Sequence, residues 1–500
     1  MNDGEIRGPG VGRVQLWIAV TAASALVGGA IALGSCTAPG APKGKILIEF
    51  WDFPRLPPVQ EWLAQAIQDF ERIHPEAHVE FTRLSWGKGT QRMDIAAFAG
   101  RPPDVAGAVL DLKYVQAGLL LPLDRYLDEE IPDRPGMRWR DDIHAPILRD
   151  VQWDGQTWAF PWYKEAFVIL LNQDLLEERG VEPPPQGHWT WEEFLQKMHQ
   201  LTFDRDGDGR IDVYGIGYNT GKQKWEAYPF LFGEGMELLS PDQRKSLIDS
   251  AATRRGIGRL LELEYDEKVA LPGAGGIMDD TTWTAFSGAE RRLAATCQGL
   301  WAIKAAAVQN ERAEERQRKH PEEKNPTPPL RFDVALFPQM PGQPQRMASY
   351  GIGSYMVFNR PYDPKRTDLA AKLARYLTLE AGQQINREAG LFPSRISTGT
   401  IFGDDPHYKY IWPYIADAIS PPVHPAWYQL DQVIGEQLQL AMMKREGVDS
   451  AVKKMSDRTQ LILDDFWRSY DAAKKERKAG PSVVDTAPRK PEAPREAAAR

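Results

Sequence analysis

Along residues 45–110 the apolar spacing switches between strand and helix periods. Lys45-Ile46-Leu47-Ile48-Glu49-Phe50-Trp51 is an apolar-rich run of strand length. Val59, Trp62, Leu63, Ala66, Ile67, Phe70 and Ile73 then recur at three- and four-residue steps, predicting an amphipathic helix that His74-Pro75 ends. A second strand runs from Val79 to Trp86, with Val79 and Phe81 alternating, and a helix follows from about Gln91 to Ala99. Pro102-Pro103-Asp104 introduces a third strand at Val105 to Val109. The order β-α-β-α-β, with connections long enough for crossovers, predicts a parallel sheet covered by helices. Ligands of such sheets sit beyond the carboxyl ends of the strands, which places Trp51-Asp52 and the segment after Val109 near a candidate site.

A second unit begins after Trp153, where Asp154-Gly155 reads as a hairpin turn. Trp158 to Trp162 and Ala166 to Leu171 are extended and apolar, and Trp191 to Leu201 is helical behind Thr190 as N-cap. Residues 309–329 are charged and Pro-rich, a solvated helix end plus loop. Arg331 to Phe337 and Ser354 to Phe358 read as strands, and the last helices run from about Asp431 to Tyr470. Residues 474–500 hold almost no large apolar side chain and are expected to form a disordered tail.

With 500 residues, two lobes are the natural expectation. The 42% hydrophobic content, with 16 Trp, 16 Tyr and 18 Phe, is enough to build their cores. A formal charge of -8 offers no basic field to nucleic acid, so that class of partner is set aside. At the N-terminus, Arg7 and Arg13 precede an apolar run from Leu16 to Leu33 that ends in Leu33-Gly34-Ser35-Cys36. This resembles a bacterial lipobox. The resemblance implies a signal peptide over 1–35, a lipid on Cys36, a tether over 36–44, and a mature protein anchored to the membrane on its extracytoplasmic side. The alternative is an uncleaved transmembrane anchor, which also holds the rest of the chain outside. The chain has two cysteines, and with Cys36 lipidated Cys297 has no disulfide partner, so it reads as a buried small hydrophobe.

The order of further segments resembles the extracellular solute-binding family 1 of ABC importers. Ile48-Glu49-Phe50-Trp51, Phe70-Glu71-Arg72-Ile73-His74-Pro75 and Pro103-Asp104-Val105 carry it, followed by Gly118-Leu119-Leu120-Leu121-Pro122-Leu123-Asp124. Asp154-Gly155-Gln156-Thr157-Trp158-Ala159-Phe160-Pro161-Trp162, Leu171-Asn172-Gln173-Asp174-Leu175-Leu176, Thr190-Trp191-Glu192-Glu193-Phe194, Gly299-Leu300-Trp301 and Ala389-Gly390-Leu391-Phe392-Pro393-Ser394-Arg395 extend it over roughly residues 45–470. The resemblance implies a two-lobed α/β fold of periplasmic-binding-protein type with discontinuous lobes and a hinge. On that analogy lobe one holds 45–161 and 298–348, and lobe two 162–297 and 349–473. It further implies a monomer that needs no cofactor, captures a carbohydrate-like solute between the lobes, and delivers it to the membrane subunits of an ABC permease. A secreted carbohydrate-active enzyme and a sensor of the same fold are the rivals.

Aromatic rings can stack on the C–H face of a sugar while neighbouring polar groups bind its hydroxyls. Trp51 and Asp52 are candidates by the strand-end argument. Asp104, Trp162, Trp301 and Tyr350 are candidates by position in the family, and Trp225, Trp283 and Trp427 by their place on less regular segments. A separate motif runs from Asp204 to Asp212. Asp204, Asp206, Asp208 and Asp212 with the Arg210 carbonyl have the spacing of a structural calcium loop, but Gly215 stands where such a loop has its bidentate Glu. A solvated acidic turn fits the same residues. Phosphate-loop, nucleophile-elbow and zinc signatures fall short of their required spacings, which favours binding over catalysis.

Overall fold

A computed structural model describes residues 42–221, 224–276, 279–322 and 328–479. The leader, Cys36, most of the tether and residues 480–500 lie outside the described residues. In chain order the strands of the two main sheets are β1 (Ile46–Asp52), β2 (Ala77–Arg83), β3 (Val105–Ala108), β4 (Ala159–Glu165) and β5 (Phe167–Asn172). They continue as β6 (Tyr214–Gly217), β7 (Leu293–Gly299), β8 (Phe332–Ala335), β9 (Gly351–Val357) and β10 (Phe392–Pro393). The first sheet has the order β10-β4-β9-β3-β1-β2, and the second β6-β7-β5-β8. β1 runs parallel to both β2 and β3, as the crossover spacing requires, whereas β9 enters antiparallel between β3 and β4.

Five helices position the site: α1 (Pro57–Ile73), α2 (Trp191–Gln200), α3 (Trp301–Lys319), α4 (Trp427–Met442) and α5 (Val448–Ala479). α1 buries Val59, Leu63, Ala66 and Phe70 on the face its spacing predicts. α2 opens with a full capping box between Thr190 and Glu193, which satisfies donors at both residues. Asp154 and Gly155, with φ of 50° and 76°, turn a small hairpin pairing 152–153 with 156–157.

The sheets divide the chain at other points than the expected lobe bounds, and 162–165, expected in lobe two, complete β4 of the first sheet. β8 lies within 298–348, expected in lobe one, yet pairs with β5 in the second sheet. β9 lies within 349–473, expected in lobe two, yet sits in the middle of the first sheet. The physical cause is the path of α3. Its Asn310 exchanges hydrogen bonds of 2.9 and 2.7 Å with the backbone of Leu330, folding the chain back into the sheet it had just left. The first lobe is therefore built on 42–165 and about 351–418, and the second on 167–348 and the chain from about 419 onward.

The last helix also departs from expectation. Lys474, expected to open a disordered tail, lies within α5 and pairs with Asp154 at 3.0 Å. Ala451, Val452 and Met455 fix the start of α5 in the second core. Further along, Phe466, Trp467 and Tyr470 surround Trp153 of the first lobe's hairpin, with ring centroids 5.8–6.3 Å away. One helix thus grips both lobes. Among the described residues no helix is long and apolar enough to cross a membrane.

Candidate functional site between the lobes

Two short crossings, at 165–167 and 348–351, run side by side between the sheets, and the 299–301 turn lies against them. The Phe167 N–H donates to Ala348 O at 2.9 Å, the Leu300 N–H donates to Ala166 O at 3.0 Å, and Gly351 pairs with Glu165. A third crossing, at about 418–419, joins them where the Ser349 N–H donates to Ile419 O at 2.8 Å. Trp301 stands on that turn and Tyr350 on the second crossing, with 41% and 48% of their surface exposed, unusual for large aromatics.

Two aromatic groups flank the crossings. Tyr350 meets Trp225 at 5.9 Å, and Trp225 meets Trp427 at 6.0 Å and Tyr228 at 4.6 Å, a continuous wall on the second lobe. Trp301 lies 6.0 Å from Trp283. Beside this pair a cavity of about 290 Å³ opens between Leu56 and Pro57 of the first lobe and Trp283, Ala305, Val308, Gln309 and Arg312. Trp301, Ala305, Val308 and Arg312 follow helical spacing, so one stripe of α3 runs from the 299–301 turn along the cavity.

The structure thus gathers Trp225, Trp283, Trp301, Tyr350 and Trp427 around the crossings. It places the other four candidates inside the first lobe. Asp104 precedes β3, at its amino end, and is fully buried among the Glu49 N–H, Arg360 and Arg366, which bind both of its oxygens. Trp162 is buried between Trp62 and Tyr355, and its indole N–H donates to Gly382 O at 2.5 Å. Trp51 packs with Phe53 and Leu84 under the guanidinium of Arg92. Asp52 accepts from the Phe53 N–H and from Arg55, both at 2.8 Å. Burial raises the Asp52 carboxyl above its usual range, against the pull of Arg55. Arg55 donates on to the Tyr163 hydroxyl at 2.6 Å. Asp52 thus anchors the turn leading to Leu56 and Pro57, one wall of the cavity.

Glu165 was not among the expected residues. It sits at the first crossing, where burial pushes its carboxyl up to about 8 despite backbone N–H groups of Leu300, Ala166 and Trp301. Its Oε1 is buried without a hydrogen-bond partner, and a Cβ on Gly299 would lie 2.9 Å from that atom. The sequence carried a signal for it, an acid interrupting the apolar run Phe160 to Leu171.

The carboxylates of Asp204, Asp206 and Asp208 come within 4.8 Å of one another on the surface of the second lobe, away from the crossings. They are already occupied within the loop. Asp204 accepts from the Gly207 and Gly209 N–H groups at 2.7 Å, Asp208 from the Arg210 N–H at 2.8 Å, and Asp212 from the Arg205 N–H at 2.7 Å. The Gly209 N–H and its neighbours hold the Asp204 carboxyl below its usual range.

Known proteins share this build. A Brucella abortus protein whose name claims no more than binding is 20% identical over 401 residues, 79% of this chain and 88% of that one. An ABC substrate-binding protein of Listeria monocytogenes in complex with cycloalternan superposes with a TM-score of 0.66 at 16% identity, over 84% of this chain and 99% of that one. The maltose/maltodextrin-binding domain of Bdellovibrio bacteriovorus bound to maltotriose gives 0.64 at 19% identity, over 85% and 100%. The fold is therefore that of two-lobed binding proteins, and residues 55–384 match the family model of bacterial extracellular solute-binding proteins, to which this chain belongs.

Proposed function

We propose that this protein captures a saccharide between its lobes and delivers it to an ABC permease, held to the outer face of the membrane by a lipid on Cys36. The wall of Trp225, Tyr350 and Trp427 carries the ligand assignment. It offers apolar faces for stacking, and Trp301, beside the crossings, is exposed as well. The similar proteins that bind cycloalternan and maltotriose support the same ligand class, as does the diacetylchitobiose binding protein DasA of Streptomyces coelicolor, 25% identical over 187 residues. A ligand touching both lobes favours their closure, because only the closed state offers all contacts together.

Calorimetric titration with maltotriose tests the reading. Trp225→Ala and Trp427→Ala should each weaken binding by about tenfold, the loss of one good stacking contact. Unchanged affinity in both variants would remove the wall from the site. For the anchor, Cys36→Ala should release the protein from membranes, and continued tight attachment would argue for an uncleaved transmembrane segment instead. Structural calcium in the 204–212 loop predicts a rise in Tm on adding calcium and a fall with chelator. A Tm indifferent to both would leave the loop as an acidic turn.

A further inference from the structure

The wall described above is held by a charged pair that lies behind it. Trp225 stands on a single turn, Lys224–Glu226, closed by one backbone bond from Ala227 to Lys224 at 3.0 Å. Trp427 opens α4, far away in sequence. Lys224, next to Trp225, reaches Asp431, one helical turn after Trp427, with Nζ 2.8 Å from Oδ2. Both side chains are almost wholly buried, at 7% and 12% exposure. The Tyr228 hydroxyl donates to the other Asp431 oxygen at 3.3 Å, and its ring packs edge-on against Trp225. One turn further along α4, Gly435 leaves room for the lysine stem, since a Cβ there would come within 2.6 Å of Lys224 Cδ.

Burying an ammonium and a carboxylate costs more desolvation than a well-packed apolar pair of the same volume, so such a pair adds little stability. What it does supply is direction. A charge pair with a shared tyrosine fixes the distance and tilt between the two segments, where apolar contacts tolerate sliding. We infer that Lys224 and Asp431 are positioning residues for the ligand wall, setting the arrangement of Trp225 and Trp427 without touching the ligand. This rests on the reading of that wall as the saccharide site.

The test uses protein labelled with 5-fluorotryptophan and read by fluorine NMR, with the two resonances assigned through Trp225→Phe and Trp427→Phe. The variant is K224M/D431N, which removes both charges and keeps an acceptor for Tyr228. The Trp225 and Trp427 resonances should shift or broaden, those of Trp139 and Trp162, both fully buried in the first lobe's core, should stay, and maltotriose affinity should fall by about tenfold at near-unchanged Tm. Unmoved Trp225 and Trp427 resonances would overturn the inference, whatever happens to Tm. Should the double variant fail to fold, K224Q/D431N gives the same readout with a neutral pair in which both side chains keep hydrogen-bonding groups. The parent reading fails in a different way: malto-, cello- and chito-oligosaccharides would move neither resonance in the unsubstituted protein.

Discussion

At the residue scale, Glu165 is the group whose behaviour depends most on pH. A carboxyl with a raised pKa binds its proton more tightly in the folded chain than in the unfolded one. The cost of ionising it is absent below the ordinary 4.5, grows as pH rises, and is complete above about 8. Glu165→Gln removes that cost, so its Tm should exceed that of the parent at pH 9 and converge with it near pH 5. Equal gains at both pH values would show that the carboxyl is already solvated. Asp104 makes the opposite case. It is buried and bound by two arginines, so Asp104→Ala should cost about 3–5 kcal/mol in urea unfolding, as expected for breaking a buried pair. Saccharide affinity of the folded protein should be unchanged. A selective loss of affinity would return Asp104 to the site. Both residues stand out in the sequence as acids beside apolar strands, and sequence position alone points to a ligand role for Asp104 and none for Glu165. What separates them is which end of a strand each occupies and what lies across from it, and only pairing between distant segments decides that.

At the scale of elements, local signals read well because their physics is local. The capping box at Thr190, the Asp154-Gly155 turn and the apolar face of α1 each depend on neighbours within a few residues. β8 and β9 are both short apolar runs with nothing in them to name a sheet, and the turn-back through Asn310 and Leu330 is what assigns them. The charged end of the chain misled for a related reason. α5 has few apolar residues beyond Tyr470, yet Lys474 extends its hold on the first lobe through Asp154. Trp153 is the partner of three rings on that helix and is half-buried. Trp153→Ala should therefore cost about 2 kcal/mol, less than the 3–5 of a fully buried Trp. Thermal or urea unfolding measures it, and a loss under about 0.5 kcal/mol would mean α5 contributes no real grip there.

At the scale of the molecule, the two sheets, the side-by-side crossings and the aromatic groups flanking them converge on one act, the enclosure of a solute between lobes. Small-angle X-ray scattering of the protein during titration with a panel of malto-, cello- and chito-oligosaccharides tests this most directly. The account predicts that one of these sugars binds one-to-one, shrinks the radius of gyration in step with saturation, and is recovered intact. Saturating binding with no change in radius, hydrolysis of the sugar, or a panel without any binder would contradict it.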